Sequence, residues 1–237
     1  MLLFFLFLGK KKKMAENSLL HIPYKPQIFE EEEMRNKAAV FYQFMNKRRS
    51  VRDFSTKDVP LEVIENIIKT ASTAPSGANK QPWTFCIIRN VDLKRKIRKL
   101  AEAEEQKNYA GRMNDNWIKD LEKFGTNAVK DFIDSAPWVI IVMKKSYDID
   151  ENNVKTNNYY VNESVGIASG FLISAIHNAG LSCLTHTPSP MNFISEALNR
   201  PKNEKPYLLL PVGYSSETCT VPNIMRKPLE EIAIYYE

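Results

Sequence analysis

Apolar residues recur along this chain with two periods, and the alternation between them predicts helices and strands in turn. Helical spacing runs through residues 34–46 and again through 60–71, where Pro60 takes a first-turn position that proline favours. Continuous apolar runs at Trp83–Ile88 and at 137–143 predict buried strands. Helices and strands that follow one another in this way predict an α+β or α/β layered fold.

The second half of the chain continues this alternation around one long apolar segment. Residues 159–179 are apolar nearly all round and include several small side chains, which predicts a buried central helix with close neighbours. The other expected elements are charged helices at 91–110 and 114–134, a polar loop at 148–158, strands at 181–185 and 207–212, and a short helix at 192–199.

The first 33 residues differ in character from the rest. Residues 1–8 are wholly apolar, lysines follow at 10–13, and residues 14–33 have no clear period and are expected to form an extended arm. As a helix the apolar run would span about 12 Å, against roughly 30 Å of hydrocarbon in a bilayer.

Two interpretations of this start stay open. Residues 1–13 are either the end of a membrane anchor, whose lysines place the following domain on the cytoplasmic side, or a mis-assigned start before Met14. We therefore predict an N-terminal segment and arm at 1–33 and one folded domain at 34–237. The protein is expected in the cytoplasm, or at a membrane with that domain facing the cytoplasm.

Composition excludes several classes of protein. The net charge is +5, and four of the positive charges are the lysines at 10–13, so the body of the chain is nearly neutral. Nucleic acid is therefore not an expected partner, because neutralising phosphates requires a basic face. The three cysteines and three histidines show no metal-ligand spacing, so we expect a reducing compartment, no disulfide framework and no metal site.

A cationic stretch with an interleaved hydroxyl is the first candidate for chemistry. Arg48, Arg49, Ser50 and Arg52 fall within five residues, and arginine forks with a serine hydroxyl suit a phosphate. A solvated basic turn is the alternative, because charge runs usually face water. The chain has no phosphate loop and no dinucleotide fingerprint, so we expect the demanding chemistry to come from a bound cofactor.

Four motifs in a fixed order carry a resemblance to a known family. They are RRSVR at 48–52, APSGANKQPW at 74–83, LPVGY at 210–214 and RKPL at 226–229. In this order they resemble the flavin-dependent nitroreductase superfamily, from about Arg35 to the C-terminus. The resemblance implies an α+β fold with a central mixed sheet flanked by helices, a domain-swapped homodimer, and FMN as cofactor in a catalytic domain at 34–237.

The same resemblance implies which residues contact FMN. They are Arg48, Arg49, Ser50 and Arg52 around the phosphate and ring, Arg226 at the phosphate, Ser76 from the partner subunit, and Thr185, His186 and Thr187 at a strand end beside the flavin. Thr187 is the predicted catalytic residue, because a hydroxyl donor at flavin N5 supports the transfer of single electrons. His186 departs from the family pattern, in which a small hydroxyl residue is expected.

An insertion at residues 101–130 narrows the resemblance to the branch of the superfamily that dehalogenates halogenated tyrosines. Glu105 and Tyr109 are four residues apart, which puts them on one helical face, and Lys130 follows in a segment that can fold back. One anion, one cation and one phenol suit an amino-acid zwitterion, although such residues also occur on solvated helices. By the resemblance these three residues are the substrate contacts of an active-site lid, and the Ala78 N–H holds the phenolate oxygen.

The resemblance therefore implies FMN-dependent reductive dehalogenation of mono- or dihalotyrosines. Halide and tyrosine would be released through one-electron steps, with the flavin reduced by NADPH through a separate reductase. Two alternatives stay open. One is a general NAD(P)H-dependent nitroreductase or quinone reductase, which does not need the three lid residues. The other is a protein that binds tyrosine derivatives and either lacks flavin or only stores it.

Overall fold

The structure is a computed structural model that describes residues 21–122 and 124–237. The chain divides into two compact units, of which one ends at Phe44 and the other runs from Met45 to Glu237. The apolar and lysine-rich segment at 1–13 lies outside the described residues, and the predicted domain division at residue 33 stays a prediction. Within the described ranges, no helix is both long enough and apolar enough to cross a membrane.

A four-stranded sheet forms the centre of the unit that begins at Met45. Its strands lie side by side in the order β1 (Trp83–Ile88), β2 (Trp138–Lys145), β6 (Glu204–Gly213) and β5 (Ser182–Cys183). All neighbouring strands pair antiparallel. The α+β class is confirmed. The sheet was expected to be mixed, but its strands are antiparallel, and the parallel pairing among the described residues is an isolated bridge between Ser50 and Cys183.

Most of the observed helices lie where the sequence pattern predicts them. They are α1 (Glu31–Asn46), α2 (Leu61–Ser72), α3 (Val91–Lys107), α4 (Asp115–Glu122), α5 (Phe132–Ser135), α6 (Val161–Asn178) and α7 (Asn192–Ala197). The apolar stripe of α2 behaves as its spacing indicates, because Ile64, Ile67 and Ala71 are buried.

The sheet separates two hydrophobic clusters, and β2 contributes to both. Ile140 and Val142 belong to the cluster that α2 and α6 complete, whereas Val139, Ile141 and Met143 belong to the cluster formed with α3, α5 and α7. Side chains alternate across a strand, so a run of consecutive apolar residues is what a strand covered on both faces requires. This explains why β2 has no polar alternation.

Helix α6 is buried on one side only. Val165, Ala168, Leu172 and Ile176 are almost fully buried, and they pack against the sheet and α2. The opposite side includes Ile167, 43% exposed, and Phe171, 39% exposed. The expectation of a helix buried all round is therefore wrong for a single chain.

Two segments differ from expectation for local reasons. Residues 114–134 form two helices rather than one, and the backbone between them contains Gly125 with a φ of 59°, a conformation incompatible with a continuous right-handed helix. Residues 148–158 are not a plain loop, because β3 (Tyr147–Ile149) and β4 (Lys155–Asn157) form a hairpin. The Asp150 carboxylate closes its turn by accepting the N–H groups of Asn152 and Val154.

Candidate active site

The arginine-rich segment lines a cavity of about 210 Å³, called here the arginine cavity. Arg48, Arg49, Ser50 and Arg52 form one side of it. Arg226 and its apolar neighbours from the C-terminal segment form another side. The fold therefore brings Arg226 next to the segment at 48–52, although the two predicted phosphate contacts are far apart in the sequence.

Backbone pairing fixes the arginine segment against the sheet edge. The Val51 N–H donates to the Cys183 carbonyl at 3.2 Å, and Val51 is buried. From the other side, the Arg226 guanidinium donates to the carbonyl oxygens of Asn46 at 3.1 Å and Arg48 at 3.0 Å. Arg49 in turn donates to the Pro222 carbonyl. These contacts hold the C-terminal segment across the arginine segment.

The donor set of this cavity fits a phosphate ester. Four arginines and one serine hydroxyl line it, and no carboxylate is part of the lining. Burial lowers the pKa of Arg52, and the nearby Tyr109 opposes that shift. An arginine remains cationic despite such a shift, so the cavity presents positive charge to an anion.

The segment around Ser76 and Ala78 forms a tight turn beside α6. Ala78 and Asn79 have φ values of 49° and 53°, which residues with a Cβ adopt only at a cost. The Ser76 hydroxyl accepts the Gln81 N–H at 2.9 Å, and the Gly77 N–H donates to the Ser164 hydroxyl at 3.3 Å. Ser76 and Ala78 are not part of the lining of the arginine cavity in a single chain.

The three predicted lid residues lie together. Glu105 and Lys130 are buried and form an ion pair, with Lys130 Nζ 3.2 Å from a Glu105 carboxylate oxygen. The Tyr109 hydroxyl donates to the Thr126 carbonyl at 3.2 Å. Burial and the charge of Glu105 raise the pKa of Tyr109, so its phenol stays protonated. The alternative for this segment was a set of helices whose charged residues face solvent. A buried pair of opposite charges does not agree with that alternative.

Sequence reasoning missed a carboxylate one turn before Glu105. Glu102 accepts the backbone N–H of Lys130 at 2.8 Å. Burial opposes ionisation of Glu102, but the hydrogen bonds from Lys130 and from Arg98 outweigh it and hold the pKa of Glu102 below its usual value. The spacing of three residues between Glu102 and Glu105, which puts both on one helical face, was the available signal.

Residues 185–187 lie beyond the end of β5, where His186 forms an isolated antiparallel bridge to Leu209, and they present alternating side chains. Thr185 and Thr187 are exposed, whereas the His186 ring packs edge-on against Phe132 with centroids 5.4 Å apart. Backbone bonds of 2.9 Å in both directions between His186 and Leu209 fix this alternation. Contact of His186 with a flavin stays a prediction, and its ring points to the side where Phe132 lies.

The environment of His186 keeps its imidazole neutral. Burial, followed by the positive charges of Lys130 and Arg52, lowers the pKa of His186 to about 3. Its Nε2 atom is buried without a hydrogen-bond partner among the described residues. His186 is therefore a neutral, apolar-packed neighbour of the lid lysine. Among the residues that the structure describes, no group of three His, Cys, Asp or Glu side chains could hold a metal ion.

Comparison with known proteins gives a consistent set of relatives. The nitroreductase family model matches residues 45–214. Iodotyrosine deiodinase from Haliscomenobacter hydrossis is 54% identical over 215 residues, which are 91% of this chain and 97% of the relative. Iodotyrosine deiodinase 1 from Homo sapiens is 45% identical over 223 residues, covering 93% of this chain and 76% of the relative.

Solved structures agree with these sequence relatives. An oxidized iodotyrosine deiodinase bound to FMN and 3-iodo-L-tyrosine superposes with a TM-score of 0.73 at 28% identity, covering 83% of this chain and 98% of that one. A BluB-like flavoprotein from Clostridium difficile has a TM-score of 0.64 at 22% identity and covers 83% and 98% of the two chains. The second likeness shows the shared fold alone.

Proposed function

Because the chain belongs to the nitroreductase family and, within it, to the iodotyrosine deiodinases, we infer that it removes halogen reductively from halogenated tyrosines with FMN as cofactor. Two electrons and one proton replace the carbon–halogen bond by a carbon–hydrogen bond and release halide. When bound, FMN would supply these electrons in one-electron steps. The single structural observation that carries the substrate class is the buried Glu105–Lys130 pair beside Tyr109.

The arginine cavity is the proposed site for the flavin phosphate. Arg48, Arg49, Ser50, Arg52 and Arg226 line it and offer donors to an anion, and Arg52 also interacts electrostatically with Tyr109 of the lid. Thr185, His186 and Thr187 are proposed to border the ring. Thr187 is exposed in the segment that follows β5, and its hydroxyl would supply a donor to the flavin N5.

The lid is proposed to bind the amino-acid end of the substrate by exchange of partners. Glu105 and Lys130 form an ion pair with each other in the structure. A zwitterion separates them, so that Glu105 meets the ammonium and Lys130 meets the carboxylate, while Tyr109 donates its hydroxyl to that carboxylate. Burial of Glu105 and Lys130 keeps water away from them and strengthens each charge interaction.

The substrate ring is held at its other end by backbone. We propose that the Ala78 N–H donates to the phenolate oxygen, since Ala78 lies in the exposed turn at 77–79. The left-handed conformation of that turn is a strained one, and strain of this kind is found where a ligand site fixes the backbone. With both ends fixed, the halogen-bearing ring is oriented before the electrons arrive.

Dithionite-driven halide release tests this function directly. The purified, flavin-loaded protein is supplied with mono- and dihalotyrosines, and in parallel with nitroaromatics and NAD(P)H. Halide release from the amino acids is the expected result. Reduction of nitroaromatics without halide release would instead identify a general nitroreductase. We further propose NADPH, through a separate reductase, as the physiological source of electrons.

We propose that the protein works as a homodimer in which Ser76 of one copy contacts the flavin of the other. The exposed Ile167 and Phe171 on α6 give each chain an apolar surface to bury. Static light scattering of the flavin-loaded protein should therefore give twice the chain mass at working concentrations. A flavin-loaded, active monomer would contradict the proposal.

Removal of the Arg226 side chain is expected to weaken FMN binding about tenfold. Its guanidinium lines the arginine cavity and also holds the backbone at Arg48, so both charge and cavity shape are lost. Fluorescence titration of apoprotein with FMN measures the change. Lys227→Ala is the matched control, because Lys227 is also exposed and cationic but pairs with Glu231. Equal affinities for the two variants would remove Arg226 from the phosphate site.

We propose a location in the cytoplasm, or at a membrane with the catalytic domain facing the cytoplasm. The second case is supported by the lysines at 10–13, because positive charge that follows an apolar anchor favours the cytoplasmic side. Fractionation of cells that express the full chain and a chain beginning at Met14 distinguishes the two cases.

A further inference from the structure

Lys130 is held by α3 at two separate points. Its ammonium lies 3.2 Å from Glu105, and its backbone N–H donates to Glu102 at 2.8 Å. We propose that Glu102 is a positioning residue for substrate, because it fixes the Lys130 backbone after Glu105 has left the Lys130 ammonium for the substrate ammonium. This inference rests on the function proposed above.

The two contacts behave differently when a zwitterion binds. The ion pair between Glu105 and Lys130 separates, because each charge takes a substrate group as its new partner. The bond from the Lys130 backbone to Glu102 can persist, since it involves neither the ammonium nor Glu105. Of the two described links between Lys130 and α3, it is therefore the one available in the substrate complex.

Lys130 needs such an anchor because its segment has little regular structure. Residues 124–131 lie between the end of α4 and the start of α5, and they include Gly125 with a positive φ. The second contact of the Lys130 ammonium is the carbonyl of Asn127, which belongs to the same segment and moves with it. Without Glu102, Lys130 would keep this local contact and the bond from the Ile133 N–H of α5 to its carbonyl, but it would lose its backbone bond to α3.

Glu102 is itself held by a charged network at the base of the lid. Arg98 donates to Glu102 at 2.8 Å and to Asp134 on α5 at 3.1 Å. Lys94, which is buried, donates to the carbonyls of Asp134 at 3.2 Å and Ala136 at 2.6 Å. Three successive turns of α3 therefore hold α5, the residue that follows it and the lid segment, and Glu102 is the last member of this series before the proposed substrate site.

Ligand affinities of three Glu102 variants test the proposal. Glu102→Ala removes the acceptor, Glu102→Gln keeps an amide oxygen at the same reach, and Glu102→Asp keeps the charge but shortens the reach. The flavin-loaded variants are titrated with 3-iodotyrosine and with 2-iodophenol, which has no zwitterion. Flavin fluorescence reports both affinities, and steady-state halide release gives kcat and KM.

Loss of this one charge-assisted bond should raise the Kd and KM for 3-iodotyrosine about tenfold in Glu102→Ala, which corresponds to about 1.4 kcal/mol. The kcat at saturation and the affinity for 2-iodophenol should stay near the wild-type values. Glu102→Gln should recover most of the loss, and Glu102→Asp should not. Asp92→Ala is the matched control. Asp92, like Glu102, is a carboxylate of α3 that pairs with an arginine of the same helix, but it is exposed in the first turn of α3.

Two results would overturn the positioning role. One is an equal loss for 3-iodotyrosine and 2-iodophenol together with a lowered Tm, which would indicate a merely structural carboxylate. The other is wild-type affinity in Glu102→Asp, which decides the matter even if Glu102→Ala does not fold. The proposed function fails separately, if the wild-type protein itself releases no halide from 3-iodotyrosine.

Discussion

Glu105→Gln is expected to weaken 3-iodotyrosine binding about 100-fold and to leave 2-iodophenol binding nearly unchanged. Breaking one side of a buried charge pair costs about 3–5 kcal/mol, because the remaining charge is left without compensation. The same variant also removes the partner of Lys130 before substrate binds. The free protein is therefore destabilised as well, and part of the loss in binding free energy cancels. A 100-fold change, about 2.8 kcal/mol, is the expected remainder.

Flavin fluorescence quenching on the loaded protein measures both affinities. Glu62→Gln is the control, because Glu62 is an exposed carboxylate in the first turn of α2, outside the lid. Lys130→Ala and Tyr109→Phe should follow the same pattern with smaller losses. Equal losses for the two ligands, or none for either, would show that residues 101–130 do not bind the zwitterion. The protein would then be better described as a general nitroreductase.

Thr187→Ala is expected to retain FMN and to lose at least tenfold in the rate of halide release, while nitroaromatic reduction persists. The variant removes one hydroxyl donor from the proposed position at flavin N5, and a hydrogen bond to a charged or polarised group contributes about 1.5–3 kcal/mol. Under the proposed role, removal of halide in single-electron steps requires that donor, whereas two-electron reduction of a nitro group does not. The ratio of the two rates in one protein preparation is therefore the quantity to measure.

Thr156→Ala controls for loss of a threonine hydroxyl elsewhere, since Thr156 is exposed in the β3–β4 hairpin. Parallel loss of both activities in Thr187→Ala would indicate damage to the flavin site as a whole. Unchanged halide release would remove Thr187 from the reaction.

The elements that sequence patterns predicted well are those with an unambiguous burial requirement. The strand at Trp83–Ile88 has the predicted bounds, and β2 begins within one residue of its predicted start, because an apolar run of that length has few ways to be buried. Elements that depend on polar interactions were missed. The β3–β4 hairpin forms around the Asp150 side chain, and its residues 147–157 carry no apolar periodicity.

Candidate site residues could be proposed from the sequence, whereas their arrangement could not. Spacing alone put Glu105 and Tyr109 on one helical face, but nothing in the sequence fixes how the segment after Gly125 returns to α3. The burial of Lys130, its ion pair and its bond to Glu102 are consequences of that return. His186 illustrates the same limit, because only strand alternation and contact with Phe132 reveal which side of the strand end it occupies.

The half-exposed helix α6 has a consequence for handling the protein. A surface that includes Ile167 and Phe171 is covered, under the proposed dimer, only when a second copy is present. Association then contributes to folding by mass action, so the measured midpoint of unfolding rises with protein concentration. Dilution would accordingly lower thermal stability and flavin occupancy together, and comparisons among variants hold only at matched protein concentration.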